Sequence, residues 1–250
     1  MIDVTRSGPI ATITLARPDK HNAIDLATTR ALRDAAKDLE LDRDVRVIVL
    51  AAQGKSFSVG GDIEDFYAHR DRIAAHLDAM TDALHAAVLS LRRAPAPVIA
   101  SVNGVAAGGG FGLVLAADLV IARASAKFVS AYTRIGLTPD TGVSYFLPKK
   151  VGSGRAYELM VTNRTLTAHE ALAMNLIDYV VDDDLLTGET RQLAEKLAAM
   201  PSRGPSAVKQ LQYAHELEAL EAHLAREASC ISRIAQHPDT LAKLAEFLKR

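Results

Sequence analysis

The 250-residue sequence predicts an α/β protein whose final third is helical. Three observations predict it. Short β-branched runs alternate with amphipathic helical stretches through the first half. Past about Thr141, helical patterns follow one another with little strand signal between them. Hydrophobic residues make up 49% of the chain, with a mean hydropathy of +0.07, which supplies a sizeable core. The division expected is an α/β core over residues 1–195 and a helical C-terminal region over 196–250.

Each element has its own warrant. Residues 9–15 (PIATITL) alternate Ala11, Ile13 and Leu15 against Ile10, Thr12 and Thr14, the period of a sheet strand. Residues 17–22 read as a loop, because Pro18 and Asn22 break regular structure. A helix begins after Asp25, a good N-cap, and sets Leu32, Ala35, Ala36 and Leu39 on one face. Residues 45–51, 97–102 and 119–122 are short and almost wholly apolar, as strands buried on both faces are. Between the first two, Ile73, Leu77, Met80, Leu84, Val88 and Leu91 step by three or four along one long helix. Later helices are expected over 154–161, 168–175, 188–200, 205–237 and 240–250, with one short strand at 178–181. Pro201, Gly204 and Pro205 punctuate this part.

Charge and composition exclude several classes. Twenty-nine Lys and Arg against 30 Asp and Glu leave a net charge of −1, which argues against a general nucleic-acid binder. No run of about 18 apolar residues occurs, so no membrane-spanning helix is expected. The N-terminus lacks a basic segment followed by an apolar run, so a secretory signal is not expected and a cytoplasmic protein is. The single cysteine, Cys230, can form neither an internal disulfide nor a CxxC metal site. The eight histidines include no HExxH, and no metal is expected. His69 and His76, seven residues apart, could share a helix face at the surface. G-x-S-x-G is absent, which weakens a serine hydrolase reading.

Fifteen glycines are ordinary in number, but eight fall between positions 54 and 112. One cluster is Lys55-Ser56-Phe57-Ser58-Val59-Gly60-Gly61-Asp62, and the other runs from Asn103 to Gly112. Both follow an expected strand and open a helix. Ligands of open α/β sheets sit at the carboxyl ends of strands, where helix N-termini present free N–H groups. Two such groups converging on one carbonyl oxygen would make an oxyanion hole. Tight turns with close strand–helix packing are the alternative. Neither cluster has the spacing of a nucleotide loop.

The anchors RPDKHNAID (17–25), SFSVGGDI (56–63), VNGVAAGGGFGLVLAADLVIA (102–122), IGLTPDTG (135–142) and LTAHEALAMNLIDYVV (166–181) together resemble the crotonase family, the enoyl-CoA hydratase/isomerase superfamily. The resemblance runs from about Val4 to Arg250. It implies a crotonase-like spiral of repeated ββα units and a helical C-terminal trimerisation region, hence a homotrimer or a dimer of trimers. It implies an acyl-CoA thioester as substrate, with coenzyme A carried by the substrate and no further cofactor, no nucleic acid and no membrane. By position, the oxyanion donors would be the N–H groups of Gly61 and Gly109. The coenzyme A would lie near Lys20, Asn22, Ala23, Ile24, Ser58 and Val59. Lys20 could pair with a CoA phosphate or stand as a solvated loop lysine. Phe247 and Lys249 match a position where the last helix of one subunit reaches the CoA of its neighbour. Asp62 is expected to cap the short helix after it, and Glu64 and Asp65 to be solvated acids of its first turn, with lining of the acyl pocket as their alternative. Tyr67 and Tyr132 could bound the acyl chain or pack in the core.

Family hydratases use two glutamates. Their positions here are Gly112 and Tyr132, so the pair is absent. One carboxylate remains nearby, Asp140 in GLTPDTG. The pattern resembles the branch holding the 1,2-epoxyphenylacetyl-CoA isomerase group and Δ3,Δ2-enoyl-CoA isomerases, where one acid suffices. Asp140 would take a proton from C2 of a 3-enoyl-CoA and return it at C4. Its alternative is a turn residue capping the helix from Gly142. Two other functions stay open: an enoyl-CoA hydratase in which Asp140 activates water, and a non-catalytic acyl-CoA-binding relative.

Overall fold

The computed structural model describes residues 2–249, and two sheets organise them. The larger holds six strands in the order β1 (Ile2–Ser7), β2 (Ile10–Leu15), β3 (Val47–Ala52), β5 (Val98–Val102), β7 (Leu119–Arg123) and β10 (Tyr179–Val181). The smaller holds β4 (Ser56–Ser58), β6 (Val105–Ala107), β8 (Lys127–Val129) and β9 (Leu166–Thr167). Strands β1 and β2 form an antiparallel hairpin, and every later neighbour in the large sheet is parallel. Three times the chain runs through the large sheet and then the small one: β3 to β4, β5 to β6, β7 to β8. The first two passes feed helices α2 (Ile63–Ala68) and α4 (Gly109–Ala116). These are the repeated ββα units that the family resemblance implies.

Burial follows the sequence pattern. In β2, Ala11, Ile13 and Leu15 are buried and the alternate residues half-buried. β3 and β5 are apolar on both faces because both are covered. Helix α1 (Leu26–Leu41) starts at Asp25, whose side chain accepts from the Thr28 N–H. Helix α3 (Ile73–Arg93) is the spine of the core, and all six residues of its apolar stripe are buried. Burying each such side chain is worth about 1.5–3 kcal/mol. All eight residues of α4 are buried, which fits a helix apolar on every side.

The remaining helices are α5 (Val143–Val151), α6 (Ser153–Thr162), α7 (Ala168–Ala173), α8 (Leu186–Ala199), α9 (Gly204–Tyr213), α10 (Leu217–Ala235) and α11 (Pro238–Phe247). Helix α10 lies along α3, and its Leu220, Leu224 and Ile231 join the main core. Among the described residues, no helix is long and apolar enough to cross a membrane.

The structure departs from expectation in three places. Strands β1, β4, β6, β8 and β9 are additional; four of them have two or three residues, too few to carry a period. The helix expected over 205–237 is two helices, broken at Ala214–Glu216 without glycine or proline. Tertiary contacts hold that corner: the Arg92 guanidinium lies 3.4 Å over the Tyr213 ring and 3.7 Å from the Glu216 carboxylate. Finally, His69 and His76 do not share a helix. His69 ends α2, His76 lies in α3 and is buried, and their rings stack 3.9 Å apart.

Candidate active site

Both glycine clusters reach the same cavity, a space of about 270 Å³. The first arrives through β4. Gly60 and Asp62 bridge to Ile24, with Ile24 N–H donating to Gly60 O and Asp62 N–H to Ile24 O. That ladder leaves the Gly61 N–H out. The second arrives through β6. Gly108, at φ +51, turns the chain into α4 with a conformation that suits glycine. Gly109 is then the first helical residue, whose N–H has no acceptor within the helix and carries the positive end of its dipole. Gly61 and Gly109 both border the cavity, whose apolar wall includes Ile24, Phe66, Leu77, Met80, Leu84 and Ile231. Among the described residues, the charged ones bordering it are Arg134 and Asp140.

Asp140 is 4% exposed. Its Oδ1 lies 2.7 Å from His85 Nε2 on α3, and its Oδ2 accepts from the Thr141 hydroxyl at 3.2 Å. Its backbone carbonyl accepts from the Tyr132 hydroxyl at 3.0 Å. Thr141 stands at φ +60 and Ala131 at φ +65, conformations that disfavour side chains with a Cβ and cost about 1–3 kcal/mol each. Such strain persists only where the surroundings hold it.

Asp140 does not cap α5. The N-cap is Gly142, and no side chain of the turn itself accepts there. Glu227, from α10, does so instead. Its carboxylate accepts from the N–H of Gly142 at 2.7 Å, from the N–H of Ser144 at 2.9 Å and from the Ser144 hydroxyl. His85, Asp140 and Glu227 thus form a buried group whose polar atoms lie within 4.8 Å of one another. Burial and the charge of Asp140 push the Glu227 carboxyl up to about 7. Burial works to lower His85, but the charge and hydrogen bond of Asp140 outweigh it, and the imidazole is raised. Burial pushes the Tyr132 phenol well above its ordinary value, so it cannot act as a base.

At position 112 there is no room for an acid. A Cβ on Gly112 would meet the Thr141 Cβ and carbonyl oxygen at 2.6 Å each. The left-handed Thr141 fills that space.

The residues expected around coenzyme A separate into three groups. Ile24, Val59 and Phe247 border the cavity, and Phe247 does so from this chain's own α11. Asn22, Ala23 and Ser58 frame the loop. The Asn22 amide accepts from Arg17 N–H and donates to the carbonyls of Gln53 and Ser56, each at 2.8 Å. The Ala23 carbonyl accepts from the Arg17 guanidinium, and Ser58 Oγ donates to Asn22 O while accepting from Gly60 N–H. Lys20 and Lys249 are exposed, and Lys20 pairs with Glu64 at 2.7 Å.

Asp62 caps α2 through the Asp65 N–H and also pairs with Arg17 at 3.1 Å. Asp65 is not simply solvated: its Oδ2 lies 2.7 Å from His76 Nε2. The His69 and His76 ring planes are within 6° of parallel, so their lone pairs do not converge on one point. That group ties α2 to α3.

Sequence reasoning missed His85, Glu227 and Thr141. For two of them a signal existed. Leu220, Leu224, Glu227 and Ile231 step by four, three and four, which sets a carboxylate on an apolar stripe. A buried carboxylate needs partners. His85 likewise falls among Leu77, Thr81 and Val88 on the buried face of α3.

Known proteins resemble the chain over nearly its whole length. The family model described as enoyl-CoA hydratase/isomerase matches residues 5–250. The chain is 34% identical to a 4-chlorobenzoyl coenzyme A dehalogenase from an Arthrobacter species, over 98% of this chain and 90% of that protein. It is 36% identical to the 1,2-epoxyphenylacetyl-CoA isomerase of Escherichia coli K12, over 96% and 92%. The crystal structure of an enoyl-CoA hydratase from Mycobacterium avium subsp. paratuberculosis superposes with a TM-score of 0.90 at 30% identity, covering 98% of this chain and 97% of that one.

Proposed function

The chain belongs to the enoyl-CoA hydratase/isomerase family, and on that premise we propose that it is an enoyl-CoA isomerase, moving a double bond from the 3,4 to the 2,3 position of an acyl-CoA thioester. The observation that carries the reading is Asp140, the carboxylate that borders the cavity together with Gly61 and Gly109.

The chemistry follows from that arrangement. The thioester oxygen sits between the N–H groups of Gly61 and Gly109. A proton leaves C2 for Asp140, and the charge spreads onto that oxygen as a dienolate. Each preorganised donor is worth about 3–4 kcal/mol in such sites. Asp140 then delivers the proton to C4. The apolar wall keeps water from competing for the intermediate. The reaction conserves atoms and electrons, so it calls for no cofactor beyond the coenzyme A of the substrate.

Hydration would need a second acid to hold water. Thr141 occupies the space at Gly112, and the raised Tyr132 phenol donates to a backbone carbonyl. Incubation with 3-enoyl-CoA is therefore expected to give 2-enoyl-CoA, and 2-enoyl-CoA to give little 3-hydroxyacyl product. Conversion of 2-enoyl-CoA to the hydroxy product with no turnover of 3-enoyl-CoA would overturn the reading.

A second reading is favoured by the 2.7 Å contact between His85 and Asp140. A carboxylate beside an imidazole is suited to nucleophilic attack as well as proton transfer, and one relative is a dehalogenase. Chloride release from 4-chlorobenzoyl-CoA tests it directly.

A further inference from the structure

Glu227 is 4% exposed and does not border the cavity, yet it holds a carboxylate against the site. We propose that Glu227 is a positioning residue: by capping α5 from α10, it releases the Asp140 carboxylate from that cap and leaves it turned toward His85 and the cavity. The proposal rests on Asp140 being the acid/base group.

The local sequence argues for the opposite arrangement. Pro-Asp-Thr-Gly before a helix is a cap sequence, and the chain caps α1 with Asp25 and α2 with Asp62 through their own side chains. At α5 the free N–H groups are those of Gly142 and Ser144, two and four residues beyond Asp140, and an aspartate reaches the first of them in an Asx turn. Both are already taken by Glu227. With the cap supplied from 85 residues away, the Asp140 carboxylate is left to Thr141 and His85. The left-handed Thr141 between them is the conformation that divides the two duties: residue 140 faces the cavity and residue 142 faces Glu227. Without Glu227, the orphaned N–H groups would draw the Asp140 carboxylate back to the helix end. The titratable groups around Glu227 are Asp140 from the turn, His85 from α3, Tyr132 from the segment after β8, and His223 from its own helix at 3.9 Å.

The test compares Glu227→Gln, Glu227→Asp and Asp140→Asn, assayed for double-bond migration with 3-enoyl-CoA. Gln offers one acceptor oxygen and an NH2 donor where Glu offers two acceptors, and Asp is one methylene too short to span both N–H groups. Both Glu227 variants are expected to lose about 10–100-fold in kcat with KM within about threefold, because a misplaced base harms the chemical step more than binding. The kcat profile near pH 7 is expected to shift in Glu227→Gln alone. If Asp140→Asn is inactive and both Glu227 variants keep wild-type kcat and pH profile, the positioning role is overturned and the isomerase reading stands. If Asp140→Asn retains full activity, that reading falls and the positioning role with it. Should Glu227→Gln fail to fold, Glu227→Asp alone decides: a wild-type kcat overturns the proposal.

Discussion

Asp62 and Asp140 stand in comparable places and do different work. Both lie in glycine-containing turns that lead into a helix: Asp62 directly precedes α2, while Asp140 lies three residues before α5 and borders the cavity. Asp62 caps its own helix and pairs with Arg17. The Asp140 side chain caps nothing: the N–H groups of Gly142 and Ser144 go to Glu227, and the Val143 N–H goes to the Asp140 carbonyl. The difference between the capping Asp62 and the proposed acid/base Asp140 is therefore not written in the turn. It is written in a helix that comes much later in the chain.

The sharpest way to break this comparison is to make the same isosteric change at both positions. Asp140→Asn is expected to lower isomerase turnover by about 10³-fold or more, since an amide cannot carry the proton. Its fold should survive, checked by an unchanged circular dichroism spectrum. The same change at Asp62 belongs at the other end of the scale, described last below.

Next in size is Gly112→Glu, which restores a hydratase acid at its family position. Thr141 leaves no space for it, and overpacking of this kind costs about 1–3 kcal/mol. The expected outcome is a lower Tm and no gain of hydration, followed by thermal melts and a 2-enoyl-CoA assay. Hydratase activity in this variant would show that Thr141 yields easily.

A third effect concerns pH. Glu227 has a pKa of about 7 in the folded protein against an ordinary 4.5. The folded state thus binds this proton more tightly than the unfolded state. Its contribution to stability is present below about 4.5 and is lost as pH rises through 7. His85, also raised, acts in the same direction. The wild-type Tm should fall between pH 5 and 8 more steeply than that of Glu227→Gln. Parallel Tm curves would contradict the assignment.

The smallest effect is Asp62→Asn. Asparagine is as good a cap as aspartate, and Arg17 keeps its ion pair with Asp25 at 3.0 Å. Activity within about threefold of wild type and a small drop in Tm are expected. A loss as large as that of Asp140→Asn would erase the distinction between the two residues.

Much of this molecule was legible before its structure. The period-two pattern of residues 10–15, the α3 stripe and the Asp25 and Asp62 caps are local signals, and local signals survive folding. The two glycine clusters stood out because backbone that approaches a ligand tolerates little else. What escaped depends on distance in sequence. The 214–216 corner is held by Arg92, more than a hundred residues earlier. Strands β4 and β6 exist because they pair with each other and not because of their own composition. The same holds at the site. Asp140 was visible, but Glu227 on α10, which takes the N–H groups at the start of α5, and His85 on α3 were not.

Asp140 is expected to remove a proton beside a thioester held by Gly61 and Gly109. Exchange of the C2 protons of an acyl-CoA with deuterium oxide, followed by mass spectrometry, tests that step without reference to the natural acyl group. The wild-type protein should incorporate deuterium at C2, and Asp140→Asn should not do so above the buffer rate. Exchange by Asp140→Asn at the wild-type rate would contradict the account.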